Sequence, residues 1–471
     1  MTDDRPNILF IMTDQQRGDC LSIAGHPCLL TPNMDSIAGS GVRFSRAYVT
    51  CPSCVPARRS LMSGQHPPTT GMVGYQDGVE WEHPPPTLPG VLRDAGYQTA
   101  LVGRSMHLHP PRKRYGFEEM IQHGWESDYH KWMLEHDPTA EGGHFGSGVM
   151  HNDWTARPWH LAETLHNTNW TVNQAMRWLE RRDPSQPFFL CVSFIAPHPP
   201  LVPPQFYFDR YLRLPQPEPF IGDWATPPAD EGLGDDVSSG RVHLTGERLR
   251  AARAGYYGLI NHVDDQIRRL LNPVNGIQRM TGGNTVVIFT SDHGEMLGDH
   301  HLFRKQWSYE ASANIPMLCS APPRFELKRR SVVDAPVCLE DIMPTCLDFA
   351  GVDIPDTVEG RSMLPWMRGE TPSWREYLHI EHAGHHQTVT DGRQKFIWLT
   401  GDGREQFFDL ENDPNEMRNL IDDTDWQPRI NEWRARLVSE LTGREEGFVQ
   451  DGALVPGRPY KAAMSHAAGR P

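Results

Sequence analysis

Asn7-Ile8-Leu9-Phe10-Ile11-Met12 is an unbroken apolar run between Pro6 and Asp14, and Thr13-Asp14-Gln15-Gln16 follows it directly. A short run without polar alternation fits a strand buried on both faces, as in a parallel sheet covered by helices. Comparable runs return at 99–102, 188–195 and 285–290, between amphipathic stretches that read as helices at 88–95, 170–182 and 248–271. This alternation predicts an α/β fold, a large mainly parallel sheet flanked by helices on both faces. Ligand groups in such sheets gather where the strands end. Those ends carry Asp14-Gln15, Gly103-Arg104-Ser105-Met106-His107, Pro197-His198-Pro199 and Asp292-His293.

Thr31-Pro32 reads as a helix start, with Thr31 as cap. Residues 42–49 read as a short strand leading to the turn at Cys54. The stretch 116–167 mixes Gly, His, Trp and Glu with little periodicity and is expected to be an insertion or lid. Residues 203–246, rich in Pro, Asp and Gly, read as a surface excursion. After Gly369 the texture changes to short, turn-separated strand candidates at 377–381, 387–390, 395–400 and 406–410, then a helix at 426–441. Two domains are expected: a catalytic α/β domain over 1–370, and a smaller C-terminal antiparallel β subdomain packed against a helix, with its tail, over 371–471. The tail from 451 is too polar to pack alone and is a candidate clasp for a homo-oligomer.

Across 471 residues, 45 Lys and Arg face 60 Asp and Glu, a net charge of -15 that excludes a nucleic-acid surface. An anionic substrate then requires a local cationic pocket. No run approaches membrane-spanning length, so no membrane association is expected. The start Met1-Thr2-Asp3-Asp4-Arg5-Pro6 has no signal-peptide pattern, and the expected location is cytoplasmic. The 8 cysteines lack a framework spacing, as expected of reduced thiols.

Cys54-Val55-Pro56-Ala57-Arg58 places a nucleophilic side chain, a rigid proline and a guanidinium in what reads as a defined turn, with Gly64 ending the element. A cysteine beside a fixed positive charge suits attack on an anion. Cys51-Pro52-Ser53-Cys54 also spells a C-x-x-C pair, which leaves a thiol-redox couple, or half of a zinc site, as rival readings. Asp14 and Gln15 together with Asp292 and His293 offer two carboxylates, an amide oxygen and an imidazole to one cation. Oxygen-rich ligation favours Ca2+ and leaves Mg2+ as an alternative, while the imidazole of His293 keeps Mn2+ or another transition ion open.

Cys54-x-Pro56-x-Arg58 followed by Ser63-Gly64, with both acidic pairs, resembles the formylglycine-dependent sulfatases of the alkaline phosphatase superfamily. The resemblance runs from about residue 6 to 420 through Asp341-Ile342-Met343-Pro344-Thr345, Gly360-Arg361-Ser362-Met363-Leu364-Pro365 and Phe408-Asp409-Leu410-Glu411-Asn412-Asp413-Pro414. It implies that a formylglycine-generating enzyme oxidises Cys54 to 3-oxoalanine, whose hydrate attacks the sulfur of a small anionic ester. It further implies a cation held by Asp14, Gln15, position 54, Asp292 and His293. Arg58, Lys305 and Arg104 would stabilise the sulfate oxygens, His198 with Lys305 would protonate the leaving oxygen, and His107 would act as base in releasing sulfate. Gln15 stands where the family more often has Asp. Arg104 replaces a lysine, and one additional residue precedes His107. Two related activities fit the same residues: hydrolysis of phosphonate monoesters or phosphodiesters, which Gln15 keeps open, and a choline-sulfatase-like specificity. Glu381-His382-Ala383-Gly384-His385-His386 reads as a loop facing the pocket or solvent and is assigned no metal.

Overall fold

The strands form, in chain order, β1 (Asn7–Asp14), β2 (Val42–Phe44), β3 (Ala47–Tyr48), β4 (Gln98–Arg104), β5 (Glu119–His123), β6 (Phe188–Pro197), β7 (Thr285–Ser291), β8 (Met317–Ser320), β9 (Ser331–Val333) and β10 (Val337–Cys338). The computed structural model describes residues 4–123, 127–140, 146–228, 244–272 and 276–467. Parts of three expected segments lie outside the described residues: 124–126 and 141–145 of the insertion, 229–243 of the excursion and 468–471 of the tail.

Eight strands make one sheet in the order β5-β4-β6-β1-β7-β8-β2-β9. β1 sits inside it, parallel to β6 on one side and to β7 on the other. Among the described strands of this sheet, only β8 runs against its neighbours. The apolar run of β1 divides between two cores. Leu9 and Ile11 face the helices Pro32–Ser40, Asn167–Arg181 and Gly246–Leu271; Ile8, Phe10 and Met12 face Cys54–Ser63, Leu88–Asp94 and Ile342–Ala350. Residues 8–12 are all 0% exposed, which explains the unbroken apolar run.

Several expectations change. Cys54 to Arg58 is not a turn but the opening of the helix Cys54–Ser63, closed by Gly64 at φ 66°. A proline is tolerated there because first-turn N–H groups have no partner within the helix. Thr31 makes no side-chain cap to the helix Pro32–Ser40. That end is capped from outside, by Asp264 accepting from the Asn33 and Met34 backbone N–H at 3.1 and 2.7 Å. Residues 42–49 divide into β2 and β3. The stretch expected as an insertion supplies β5, an edge strand of the main sheet, and the helix Asp128–His136. The excursion contains the helix Gln205–Arg213.

The C-terminal strands β11 (Leu378–His382), β12 (His386–Thr390), β13 (Gln394–Leu399) and β14 (Glu405–Asp409) form an antiparallel meander. Val389, Phe396, Trp398 and Phe407 pack there on Ile430, Trp433, Leu437 and Leu441 of the helix Gln427–Leu441. The tail folds back on its own chain. Val73 N–H donates to Ala462 O at 2.9 Å, Met464 N–H to Gly71 O at 2.8 Å, and Ala463 packs on Val55 and Met72. No helix among the described residues is long and apolar enough to cross a membrane.

Candidate active site

Parallel pairing puts the carboxyl ends of β4, β6, β1 and β7 on one edge of the sheet, and the opening turn of the helix Cys54–Ser63 meets them there. Cys54 Sγ lies 3.1 Å from His293 Nε2 and 3.8 Å from Asp14 Oδ1. Arg58 is fully buried one helical turn on. Its Nε donates to Asp292 Oδ2 at 2.9 Å and its Nη2 to Asp14 Oδ2 at 3.1 Å, while Nη1 donates to Ser105 O at 2.9 Å and Ser193 Oγ at 3.3 Å. Arg104 Nε stands 3.2 Å from Asp14 Oδ2. Burial pushes the Asp14 carboxyl up, but the surrounding His198, Arg58, Arg104 and His293 together hold it well below the usual carboxylate range.

One ligand atom each from Asp14, Cys54, Asp292 and His293 lies within 4.8 Å of the others, and all four residues are buried. His293 Nδ1 lies 3.0 Å from Gly294 O. A carbonyl only accepts, so Nδ1 carries a proton and Nε2 is the nitrogen turned toward the cluster, the one that would give its lone pair to a cation bound there. Two carboxylates, this imidazole and the side chain at position 54 therefore fit a divalent cation.

Lys305 and His198 stand beside the cluster. Lys305 Nζ donates to Gln15 Oε1 at 2.8 Å and lies 3.1 Å from His198 Nε2. His198 Nδ1 is 2.7 Å from Pro199 O, so by the same reasoning Nε2 accepts from Lys305. Burial, then the Lys305 charge, hold His198 well below the usual imidazole value and keep it neutral. His107 adopts φ 52°, and its buried Nε2 has no hydrogen-bond partner among the described residues. Burial, then the charges of Arg104 and Arg58, hold it well down too. Gln15, at φ 76°, donates its backbone N–H to Asp292 Oδ1 at 3.1 Å.

The fold thus gathers Asp14, Gln15, Cys54, Arg58, Arg104, His107, His198, Asp292, His293 and Lys305 around one edge of the sheet. The rival thiol-redox reading finds no support. Both Cys51 and Cys54 are free, and burial, with Glu381 and Glu340 adding to it, pushes the Cys51 thiol well above its ordinary range. Sequence reasoning missed His151, whose ring stacks on His198 with centroids 4.7 Å apart and planes 23° off parallel. It also missed Ser193, on a strand end already singled out, and Glu295, two residues after His293.

A cysteine beside a buried guanidinium and a cluster fit for a cation suits attack on an anionic ester, the chemistry of a hydrolase. The chain belongs to the sulfatase family: residues 6–352 match that family, and residues 298–443 match the C-terminal region of N-sulphoglucosamine sulphohydrolase. It is a sulfuric ester hydrolase. An arylsulfatase of Clostridium perfringens is 41% identical to it, with 97% of this chain and 98% of that protein aligned. A choline-sulfatase of Rhizobium meliloti is 30% identical over 90% of this chain and 83% of that protein. Among solved structures, the phosphonate monoester hydrolase of Agrobacterium radiobacter superposes with a TM-score of 0.78 at 25% identity, covering 92% of this chain and 95% of that one.

Proposed function

We propose that the protein is a calcium-dependent arylsulfatase whose nucleophile is a formylglycine made from Cys54 by a formylglycine-generating enzyme. The observation that carries this is the juxtaposition of Cys54 Sγ with Asp14, Asp292 and His293 within 4.8 Å. Aryl sulfates are the proposed substrates, supported by the 41% identity to an arylsulfatase along almost the whole chain. The cytoplasm is the proposed compartment, supported by eight free cysteines.

Asp14, Gln15, Asp292, His293 and the oxygen at position 54 would hold the cation, which when bound lowers the pKa of a hydroxyl and draws negative charge from sulfate oxygens. A hydrated aldehyde at position 54 supplies two hydroxyls on one carbon, one to attack sulfur and one whose deprotonation expels sulfate. Arg58, pinned by two carboxylates, a serine and a carbonyl, presents a fixed charge to the developing anion at no reorganisation cost. Arg104 and Lys305 add further positive charge beside the cluster. Lys305 passes a proton to the leaving oxygen, and His198 Nε2 holds the ammonium in place for it. His107, kept neutral by its surroundings, is the base on the hydroxyl that remains.

A second reading, hydrolysis of phosphonate monoesters or phosphodiesters, is favoured by Gln15 and by the structural similarity to a phosphonate monoester hydrolase. The test compares kcat/KM on an aryl sulfate and the matched aryl phosphonate monoester, using protein whose Cys54 peptide is about 18 Da lighter than the thiol form, sulfur and two hydrogens having been exchanged for oxygen. Preference for the phosphonate overturns the sulfatase assignment of the natural substrate. Active protein with an unmodified Cys54 overturns the proposed nucleophile.

A further inference from the structure

Glu295 is 4% exposed and takes part in none of the steps above. Its Oε1 accepts the Leu297 backbone N–H at 2.9 Å and the Arg304 backbone N–H; its Oε2 accepts the side-chain amide N–H of Gln15. On the far side of that amide, Lys305 Nζ donates to Gln15 Oε1 at 2.8 Å and then reaches His198 Nε2 at 3.1 Å. An ionised carboxylate only accepts and an ammonium only donates. The amide between them therefore has one allowed orientation, nitrogen toward Glu295 and oxygen toward Lys305.

We propose that Glu295 is a positioning residue that holds the Gln15 amide with its oxygen toward the catalytic lysine and the cation. The inference rests on the sulfatase reading of Lys305. An aspartate at position 15 would present an oxygen whichever way it turned. Glutamine does so in only one of two orientations, so this chain needs an acceptor behind it, and Glu295 is that acceptor. Two backbone donors fix the carboxylate in turn, so the order imposed by the loop at 295–304 reaches His198 through Gln15 and Lys305. Lys305 spends two of its three N–H bonds on Gln15 and His198 and keeps the third for substrate.

Glu295→Gln keeps the size and an oxygen for Leu297 and Arg304, but turns an NH2 group toward Gln15. The Gln15 amide must then flip and present its own NH2 to the Lys305 ammonium. Expected is a fall of about 10- to 100-fold both in kcat on an aryl sulfate and in calcium affinity, the latter titrated into chelator-treated protein, with the thermal midpoint close to the parent. Gln15→Glu alone sets two carboxylates against each other and should lose similarly. The double variant Gln15→Glu/Glu295→Gln again pairs one acceptor-only group with one amide and presents oxygen to Lys305, so both readouts should return to within about tenfold of the parent. A Glu295→Gln protein indistinguishable from the parent overturns the proposal. So does a double variant no better than the product of the single losses, or one that does not fold. Should the parent hydrolyse no aryl sulfate, the sulfatase reading fails, while calcium affinity still reports the coupling between positions 15 and 295.

Discussion

Arg58 Nε lies 2.9 Å from Asp292 Oδ2, with neither side chain exposed to solvent. The same guanidinium reaches Asp14, so one planar cation joins the ends of β1 and β7 while also donating to Ser105 O and Ser193 Oγ, four acceptors that the three N–H donors of an ammonium cannot match. Arg58→Lys is expected to cut kcat by about 100-fold or more. Arg58→Ala, which strips two buried carboxylates of the cation they share, should cost about 3–5 kcal/mol of stability. Added calcium should recover part of that loss but not the turnover. Steady-state kinetics and thermal melts with and without calcium check this, and a lysine variant within a few-fold of the parent would refute it.

Metal analysis of protein purified without added ions is expected to find about one calcium per chain, as the oxygen-rich donor set favours. Chelation should abolish turnover and lower the melting temperature. Restoring free calcium to a hundred times its Kd should return about 2.7 kcal/mol. Stoichiometric manganese or zinc would replace calcium in the proposal.

The central sheet was legible because β1, β4, β6 and β7 are covered on both faces and so leave continuous apolar runs. β5, at the sheet edge, and the short β8 and β9 lack that signature and went unread. The helix Cys54–Ser63 was misread because Pro56 counts as a breaker anywhere except the first turn. The site residues at strand ends could be found from topology alone. His151 and Glu295 could not: each acts through one long-range contact, to His198 and Gln15, that no local spacing encodes. The outside cap on the helix Pro32–Ser40 is of the same kind, with Asp264 lying over 200 residues downstream.

Hydrogen bonds and apolar packing cross the expected boundary near residue 370. Glu381 N–H donates to Thr50 O at 2.9 Å, Tyr309 OH to Gln406 Oε1 at 2.7 Å, and buried Lys395 reaches Glu310 at 2.8 Å and Glu416 at 2.7 Å. Ile397, Phe408 and Leu410 also complete a cluster with Met296, Leu302 and Tyr309. A fragment ending at 370 is therefore expected to aggregate and to show no cooperative melt. A sharp transition by near-UV circular dichroism would mark it as a domain that folds alone.

His66 Nδ1 stands 3.5 Å from Glu340 Oε1, which also accepts from the Thr50 hydroxyl. Burial works against charge on His66, but its bond to Glu340 and the charges of Glu340 and Glu359 raise it above its ordinary 6.5. Burial likewise pushes Glu340 up, yet His66 and the Thr50 hydroxyl bring it below its ordinary 4.5. The signs oppose each other. The histidine's contribution to stability is complete below 6.5 and is lost as pH rises through its raised folded value; the glutamate's is complete above 4.5 and is lost as pH falls through its lowered one. The pair therefore supports the fold most between those two ordinary values. His66→Gln should lower the melting temperature most near pH 5.5, midway between 4.5 and 6.5, and progressively less as the medium turns alkaline. A deficit that stays constant from acid to alkaline pH would show that His66 acts through packing rather than charge.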